Sequence, residues 1–283
     1  MPIVTISRDS YCPAKEVAEK AADKLGFECI SGDVLAEASQ EFDVSEVELL
    51  QALRDAPSFL DRLGVAKETY VAYIQVALLA HFQKDNVVYH GLAGHHFAKG
   101  IAHVLKVRII AEQEERVRIL MERQEVFKQA SLAVAGMSLP GVSYPRKQRS
   151  LTREEALRVL EQSDKARRKW SMHMYGIDTH DPNCYDLMLH VKKLTVDDAA
   201  EMIAHTARLD RFQATPESQQ AVDDLLLAAR VKTRIIRSYP RVEVHANRGI
   251  VSVCVEGVRP SDEQVIRDAV EQVPGLKQLE FRG

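Results

Sequence analysis

The 283-residue sequence predicts an α/β protein, a mostly parallel sheet covered by helices on both faces and followed by a small separate unit. Short β-branched runs alternate with segments of helical period, the order that builds a parallel sheet. The opening run, Ile3-Val4-Thr5-Ile6, passes through a polar turn straight into a helix. Around Arg211 to Pro216 the pattern changes, and a hairpin signal follows.

Each element has its own cause. After the first strand, Val17, Ala18, Ala21, Ala22 and Leu25 recur on one side of a helix that Gly26 stops. Phe27 to Ile30 is a short strand, and Ser31-Gly32-Asp33 leads into a helix through Val34, Leu35 and Ala38. Ser45 and Glu48 form a capping box, and a longer helix is expected from about Val65 to Lys84. Asn86 to His90 reads as a buried strand ending in Gly91-Leu92-Ala93-Gly94, where the backbone must turn tightly or let a ligand approach. Val104 to Ile110 is a further strand, followed by a charged helix from Glu112 to about Gln124.

Residues 126–150 break the rhythm with Gly136, Pro140, Gly141 and Pro145, and read as an insertion or lid ending in the basic run Arg146-Lys147-Gln148-Arg149. Thr152 and Glu155 cap a long helix whose later part, Asp164 to Trp170, is densely cationic. Lys165 shares a face with Arg168 and Lys169 there, either as a solvated face or as an arm that closes over phosphates. Gly176 to Pro182 is a loop, Tyr185 to Val191 a strand, and Thr195 with Asp198 opens a helix ending near Ala207. In the tail, Glu217 to Ser238 is helical and Arg241 to Val255 is a hairpin across Asn247-Arg248-Gly249. Ser261 to Gln272 is a helix and Leu276 to Phe281 a last strand.

Composition narrows the function. With 46% hydrophobic and 28% charged residues the chain is an ordinary globular one, and a net charge of −3 gives no general pull toward nucleic acid or an anionic membrane. Any anion binding must be local. The four cysteines, Cys12, Cys29, Cys184 and Cys254, have no metal-ligand or disulfide spacing, and no leader or membrane-spanning run is apparent, so a reduced, cytoplasmic protein is expected.

The chemistry concentrates in the first loop, where a strand aims a helix's first amides at a possible phosphate. The loop reads Tyr11-Cys12-Pro13-Ala14-Lys15-Glu16, without a glycine, so a plain structural turn competes with the phosphate site. Cys12 at a helix start invites a lowered thiol pKa, although an inert packed cysteine is the commoner case. His90, His95 and His96 are the one histidine cluster, with no acidic or cysteine partner nearby in sequence, and no metal is expected there. Trp170 is read as a packing anchor for the lid helix.

ITISRD with its helix, NVVYHGLAGH, VLKVRIIAEQEERV, DKARRKW, YGIDTHDPNCYDLMLH and TVDDAAEMI together resemble the cytidylate kinase-like family of nucleoside monophosphate kinases over residues 1 to about 207. The tail, through VHANRGIVSVCVEGV and VPGLKQLEF, resembles a BON domain, an αββαβ module. The resemblance implies a P-loop kinase-like five-stranded parallel sheet over residues 1–212, a lid or insertion at about 124–170, and a BON-like domain over 216–283. It also implies phosphoryl transfer from ATP, with Mg2+, to CMP or a related monophosphate, which depends on positioning and charge neutralisation.

By motif position, Ser7, Arg8 and the loop residues Tyr11, Cys12, Pro13, Ala14, Lys15 and Glu16 would face the donor phosphates. Asp33, Gly91 and Gly94 would border the acceptor. Lys165, Arg167 and Arg168 would be lid cations oriented by Asp164, with His180, Asp181, Pro182 and Tyr185 supporting the lid's return. Lys15, Arg167, Arg168 and Asp164 would carry catalysis.

Where the family loop resembles GSGGRE, all three glycines are replaced here, and the arginine of a GRGA-like turn is Leu92. Each unsatisfied phosphate contact weakens donor binding by roughly 1–3 kcal/mol. The expectation is a nucleotide-binding protein with weak or absent phosphotransfer. An active kinase with a rebuilt loop, and a scaffold acting through the tail on a protein or membrane surface, are the alternatives. Self-association stays open, and nucleic acid is not an expected partner.

Overall fold

The computed structural model describes residues 2–54, 67–91, 93–123, 151–255 and 260–282. The insertion at 126–150, its basic run, Leu92 and the expected helix start at Val65 lie outside them. The elements are β1 (Ile3–Arg8), α1 (Ala14–Leu25), β2 (Glu28–Ile30), α2 (Asp33–Phe42), α3 (Glu46–Arg54), α4 (Lys67–Phe82), β3 (Val87–His90), α5 (Gly94–Phe97) and β4 (Val104–Ala111). Then follow α6 (113–123), α7 (Arg153–Tyr175), β5 (Leu187–Val191) and α8 (Val196–Ala207), and in the tail α9 (Pro216–Ile235), β6 (Glu243–Asn247), β7 (Ile250–Cys254), α10 (Pro260–Val270) and β8 (Gln278–Arg282).

Five strands form one all-parallel sheet in the order β2-β3-β1-β4-β5. β1 lies between β3 and β4, with Ile3 level with Val87 on one side and Val104 on the other. The connection from β1 runs toward the β2 edge and the one from β3 crosses over it to β4, so a crevice opens at the carboxyl end of β1, where α/β sheets bind ligands. Side-chain alternation splits the core. Val4 and Ile6 face the layer of α1 and α8, and Ile3 faces the layer of α2 to α5.

Local signals set most boundaries. Reciprocal capping boxes open α7 at Thr152/Glu155 and α8 at Thr195/Asp198, and a third at Thr215/Ser218, with Pro216 just inside, opens α9. Gly26 ends α1 and Gly176 ends α7 in the left-handed conformation that suits glycine. At Ser45 the box is half made: Ser45 Oγ accepts from the Val47 amide, while Glu48 accepts from the Ser45 amide.

Helix α4 is buried nearly all round, because α2 and α3 cover one side and α9 the other. Val222, Leu226 and Ala229 of α9 join the core that holds Ile74 and Leu78, while Ala72 joins the core of the tail. The tail has its own three-stranded sheet, β6-β7-β8, whose hairpin turns through Arg248 and Gly249, both at positive φ. The observed order there, α9-β6-β7-α10-β8, is the expected αββαβ. No described helix is long and apolar enough to cross a membrane.

Candidate functional site

The turn after β1 is held from below. The Asp9 amide donates to the Ile109 carbonyl at 3.1 Å, and the Asp9 carboxylate accepts from Arg108 Nη2 at 2.6 Å. Ser10 is fully buried. Its amide and hydroxyl both donate to Asp164 Oδ1 of α7, at 3.1 and 2.6 Å. Arg116 of α6 donates from Nε to the Ser10 carbonyl at 2.8 Å and from Nη2 to Asp164 Oδ2 at 2.5 Å. These charge-assisted bonds hold the Asp164 carboxyl below the usual carboxylate range against the opposing effect of burial.

Tyr11 takes φ 57°, a left-handed conformation where a glycine would be unstrained, and its side chain packs beside Val117, Leu120, Ala156 and Leu160. Cys12 turns inward. Its thiol donates to the Ile109 carbonyl, and burial pushes it up to about 11, overriding any lowering by the helix start. Pro13 is the N-cap of α1, one position earlier than the first helical residue its fixed φ suggests, and Ala14 is buried in the core. For both Cys12 and Ala14 only the main chain remains to meet a ligand. Among the described residues nothing accepts from the amides of Tyr11, Cys12, Lys15 and Glu16.

Two hollows open above this turn. The larger, about 480 Å³, is bounded by the end of β1, α2, α3 and α7. Arg8, Arg123 and Arg167 line it together with Tyr11, Ser31, Gly32, His90 and Gly91, and Val34, Leu35, Leu50, Leu53 and Ile74 give it an apolar wall. The smaller holds about 30 Å³, the space of one water, between Ser7, Arg8, Asp9, His95, His96, Arg108, Asp164, Arg167 and His180. Arg8 and Arg167 line both. The Arg8 guanidinium has no acceptor among the described residues, and Arg167 Nη1 reaches the Arg8 carbonyl at 3.4 Å.

The expected site residues therefore separate. Ser7, Arg8, Tyr11, Gly91, Asp164 and Arg167 line one or both hollows. Lys15 is exposed and pairs with Glu19, Glu16 meets Arg123 at 3.7 Å, and Asp33 is exposed at the start of α2. Lys165 and Arg168 lie on the outer side of α7, where Lys165 pairs with Glu161 and Arg168 with Asp178 at 2.5 Å. Asp164 faces Ser10 and Arg116, not the lid cations.

The two glycines after β3 also meet a packing need. A Cβ on Gly91 would stand 2.3 Å from Tyr89 Oη, and one on Gly94 would stand 2.5 Å from Tyr89 Cδ1, so both make room for that ring.

Three residues escaped the sequence reading. Arg116 was one of several arginines in a charged helix, and Arg108 and Ser10 carried no motif. Their roles depend on contacts 48 to 154 residues away.

The histidines pack tightly. His95 and His96 have ring centroids 3.8 Å apart, and His96 stacks on Tyr175. The Ser171 hydroxyl gives its proton to the Ile177 carbonyl at 2.6 Å, so His96 must carry the proton on Nε2 to donate to Ser171, leaving Nδ1 buried without a partner among the described residues. Burial lowers His96 to about 4 and holds His95 well below the usual histidine range. Among the described residues no three His, Cys, Asp or Glu side chains converge as a metal-holding group.

The model of the Cytidylate kinase-like family matches residues 3–137. No curated protein matches the chain. Among solved structures, the chain is similar to an uncharacterized protein from Eubacterium ventriosum, with a TM-score of 0.49 at 15% identity over 73% of this chain and 98% of that one. It is also similar to shikimate kinase from Bacteroides thetaiotaomicron, with a TM-score of 0.42 at 10% identity over 74% of this chain and 99% of that one. The chain is an α/β protein with a five-stranded parallel sheet and a separate three-stranded unit at its end, and its residues 3–137 match the model of the Cytidylate kinase-like family.

Proposed function

We propose that the protein binds a phosphorylated nucleoside, CMP or a related nucleotide, in the hollow of about 480 Å³, and transfers phosphate weakly or not at all. The observation that carries this reading is Arg8. Its guanidinium sits half-buried at the end of the central strand, without an acceptor among the described residues, at the boundary of both hollows. A cation partly withdrawn from water and left without a counter-charge favours an anionic ligand. The apolar wall from Val34 to Ile74 suits a base and sugar, and Arg167 adds a second cation.

Weak transfer follows from the loop. The turn spends Ser10 on an internal carboxylate, replaces one donor by Pro13, and strains Tyr11 where a glycine would be free. ATP is the co-substrate of the alternative, an active kinase. A resident Mg2+ does not fit the residues present, because Asp9 and Asp164, the carboxylates beside the turn, are already neutralised by Arg108 and Arg116. The tail, read as BON-like, would contact a protein or membrane surface. Its αββαβ order supports that reading.

Calorimetry with CMP, CDP and ATP, alongside a coupled assay for ADP, tests this function. Binding of at least one nucleotide, weakened tenfold or more by Arg8→Ala, without turnover above buffer, is the expected result. Turnover lost in Arg8→Ala would favour the active kinase, and no heat from any nucleotide would leave the scaffold reading.

A further inference from the structure

The oxyanion seat of the first turn is filled from within the chain. Asp164 arrives on α7, 154 residues away in sequence, and one of its oxygens receives both the amide and the hydroxyl of Ser10. Its other oxygen receives Arg116, which also donates to the Ser10 hydroxyl oxygen at 2.9 Å and to the Ser10 carbonyl. A main-chain amide, a hydroxyl and a guanidinium converging on one anion are the donors that a phosphoryl group takes at such a turn.

The donors are also enclosed, while the Asp164 side chain stays 26% exposed. Ser10 is fully buried and Arg116 nearly so, which makes each bond stronger than a surface pair and makes an empty seat costly. Arg116 already stands between two carboxylates, with Asp9 4.0 Å from its other nitrogen.

We propose that Asp164 is a built-in anion that holds the lid helix on the first turn, so that a phosphoryl oxyanion and Asp164 compete for Ser10 and Arg116. The chain closes its own phosphate seat, and a ligand enters it only as α7 gives up that contact. The proposal rests on the nucleotide reading for the identity of the natural ligand, and on the geometry alone for the competition.

Inorganic pyrophosphate, titrated calorimetrically against the wild type, Asp164→Asn and Asp164→Ala, tests it. Both variants should bind pyrophosphate on the order of tenfold more tightly than the wild type, the size of one charge-assisted contact relieved of competition. Equal or weaker pyrophosphate binding in folded variants overturns the proposal whatever CMP does. Tighter pyrophosphate binding in a protein that ignores every nucleotide upholds it and removes the nucleotide reading instead. Should neither variant fold, hydrogen exchange on the wild type decides: saturating pyrophosphate should speed amide exchange in the middle of α7, and unchanged exchange overturns the competition.

Discussion

Arg237 donates from Nε to the hydroxyl of Tyr73 at 3.0 Å, with its guanidinium 5.9 Å from the centre of the same ring. The bond ties the segment after α9 to α4, one residue from Ile74 on the wall of the larger hollow. The five-stranded part and the tail thus share a helix, and α9 supplies Val222, Leu226 and Ala229 to the core on its far side.

A chain ending after residue 212 should therefore lose stability far beyond one hydrogen bond, because the apolar α9 face of α4 becomes exposed. Each large aliphatic side chain left unpacked costs about 1.5–3 kcal/mol. Arg237→Ala, which removes a single part-buried contact, should cost only about 1 kcal/mol. Urea unfolding of both proteins compares the two, and a truncated chain as stable as the full one would refute the shared core.

Trp170, the single tryptophan, is buried on α7 and donates from Nε1 to the Ala52 carbonyl of α3 at 2.8 Å. Phenylalanine keeps an aromatic ring there but is smaller and cannot donate to that carbonyl. Trp170→Phe should lower the unfolding free energy by about 1–3 kcal/mol. Denaturation followed by circular dichroism measures it, and an unchanged midpoint would remove Trp170 as the lid's anchor.

Acid should weaken the fold before its carboxylates titrate. In the unfolded chain His96 takes a proton near pH 6.5, whereas in the folded chain burial delays protonation to about 4. Between those values the unfolded state binds more protons, so stability is complete above about pH 6.5 and falls as pH drops toward 4, by about 2–3 kcal/mol for this one group. Asp164, whose folded pKa is depressed, loses its contribution only below the ordinary aspartate range. Melting curves from pH 7.5 to 4.5 should slope accordingly and flatten in His96→Phe. The same slope in both proteins would assign the effect to other groups.

The Cys12 thiol, raised to about 11 and fully buried, should resist alkylation at pH 7.5 in the native protein and react once the chain is unfolded. Mass spectrometry after iodoacetamide treatment shows which cysteines are labelled. Rapid native labelling of Cys12 would mean that the first turn opens readily.

Gly94→Ala would drive a methyl to 2.5 Å from the Tyr89 ring. The ring is buried and backed by Phe82, so the substitution should destabilise by about 1–3 kcal/mol. Tyr89→Leu in the same chain should restore part of the loss. No rescue would locate the strain elsewhere.

By itself the sequence determined the element order, the parallel sheet, the capping boxes at Thr152 and Thr195, and the hairpin at Arg248-Gly249, since these depend on near neighbours and on which face is apolar. It also marked the first turn and Arg167 as the place to look. Only the tertiary structure decided what that turn is doing. Ser10 and Arg116 are ordinary residues along the chain, Asp164 stood out only as a partner for the lid cations, and the three become one hydrogen-bonded cluster because three distant elements meet there. Lys165 and Arg167 are two positions apart on one helix, and the rotation of α7 alone puts Arg167 over the hollows and Lys165 on the outer side. Periodicity reports a buried face, whereas the partner that a charge finds depends on packing between segments far apart in sequence.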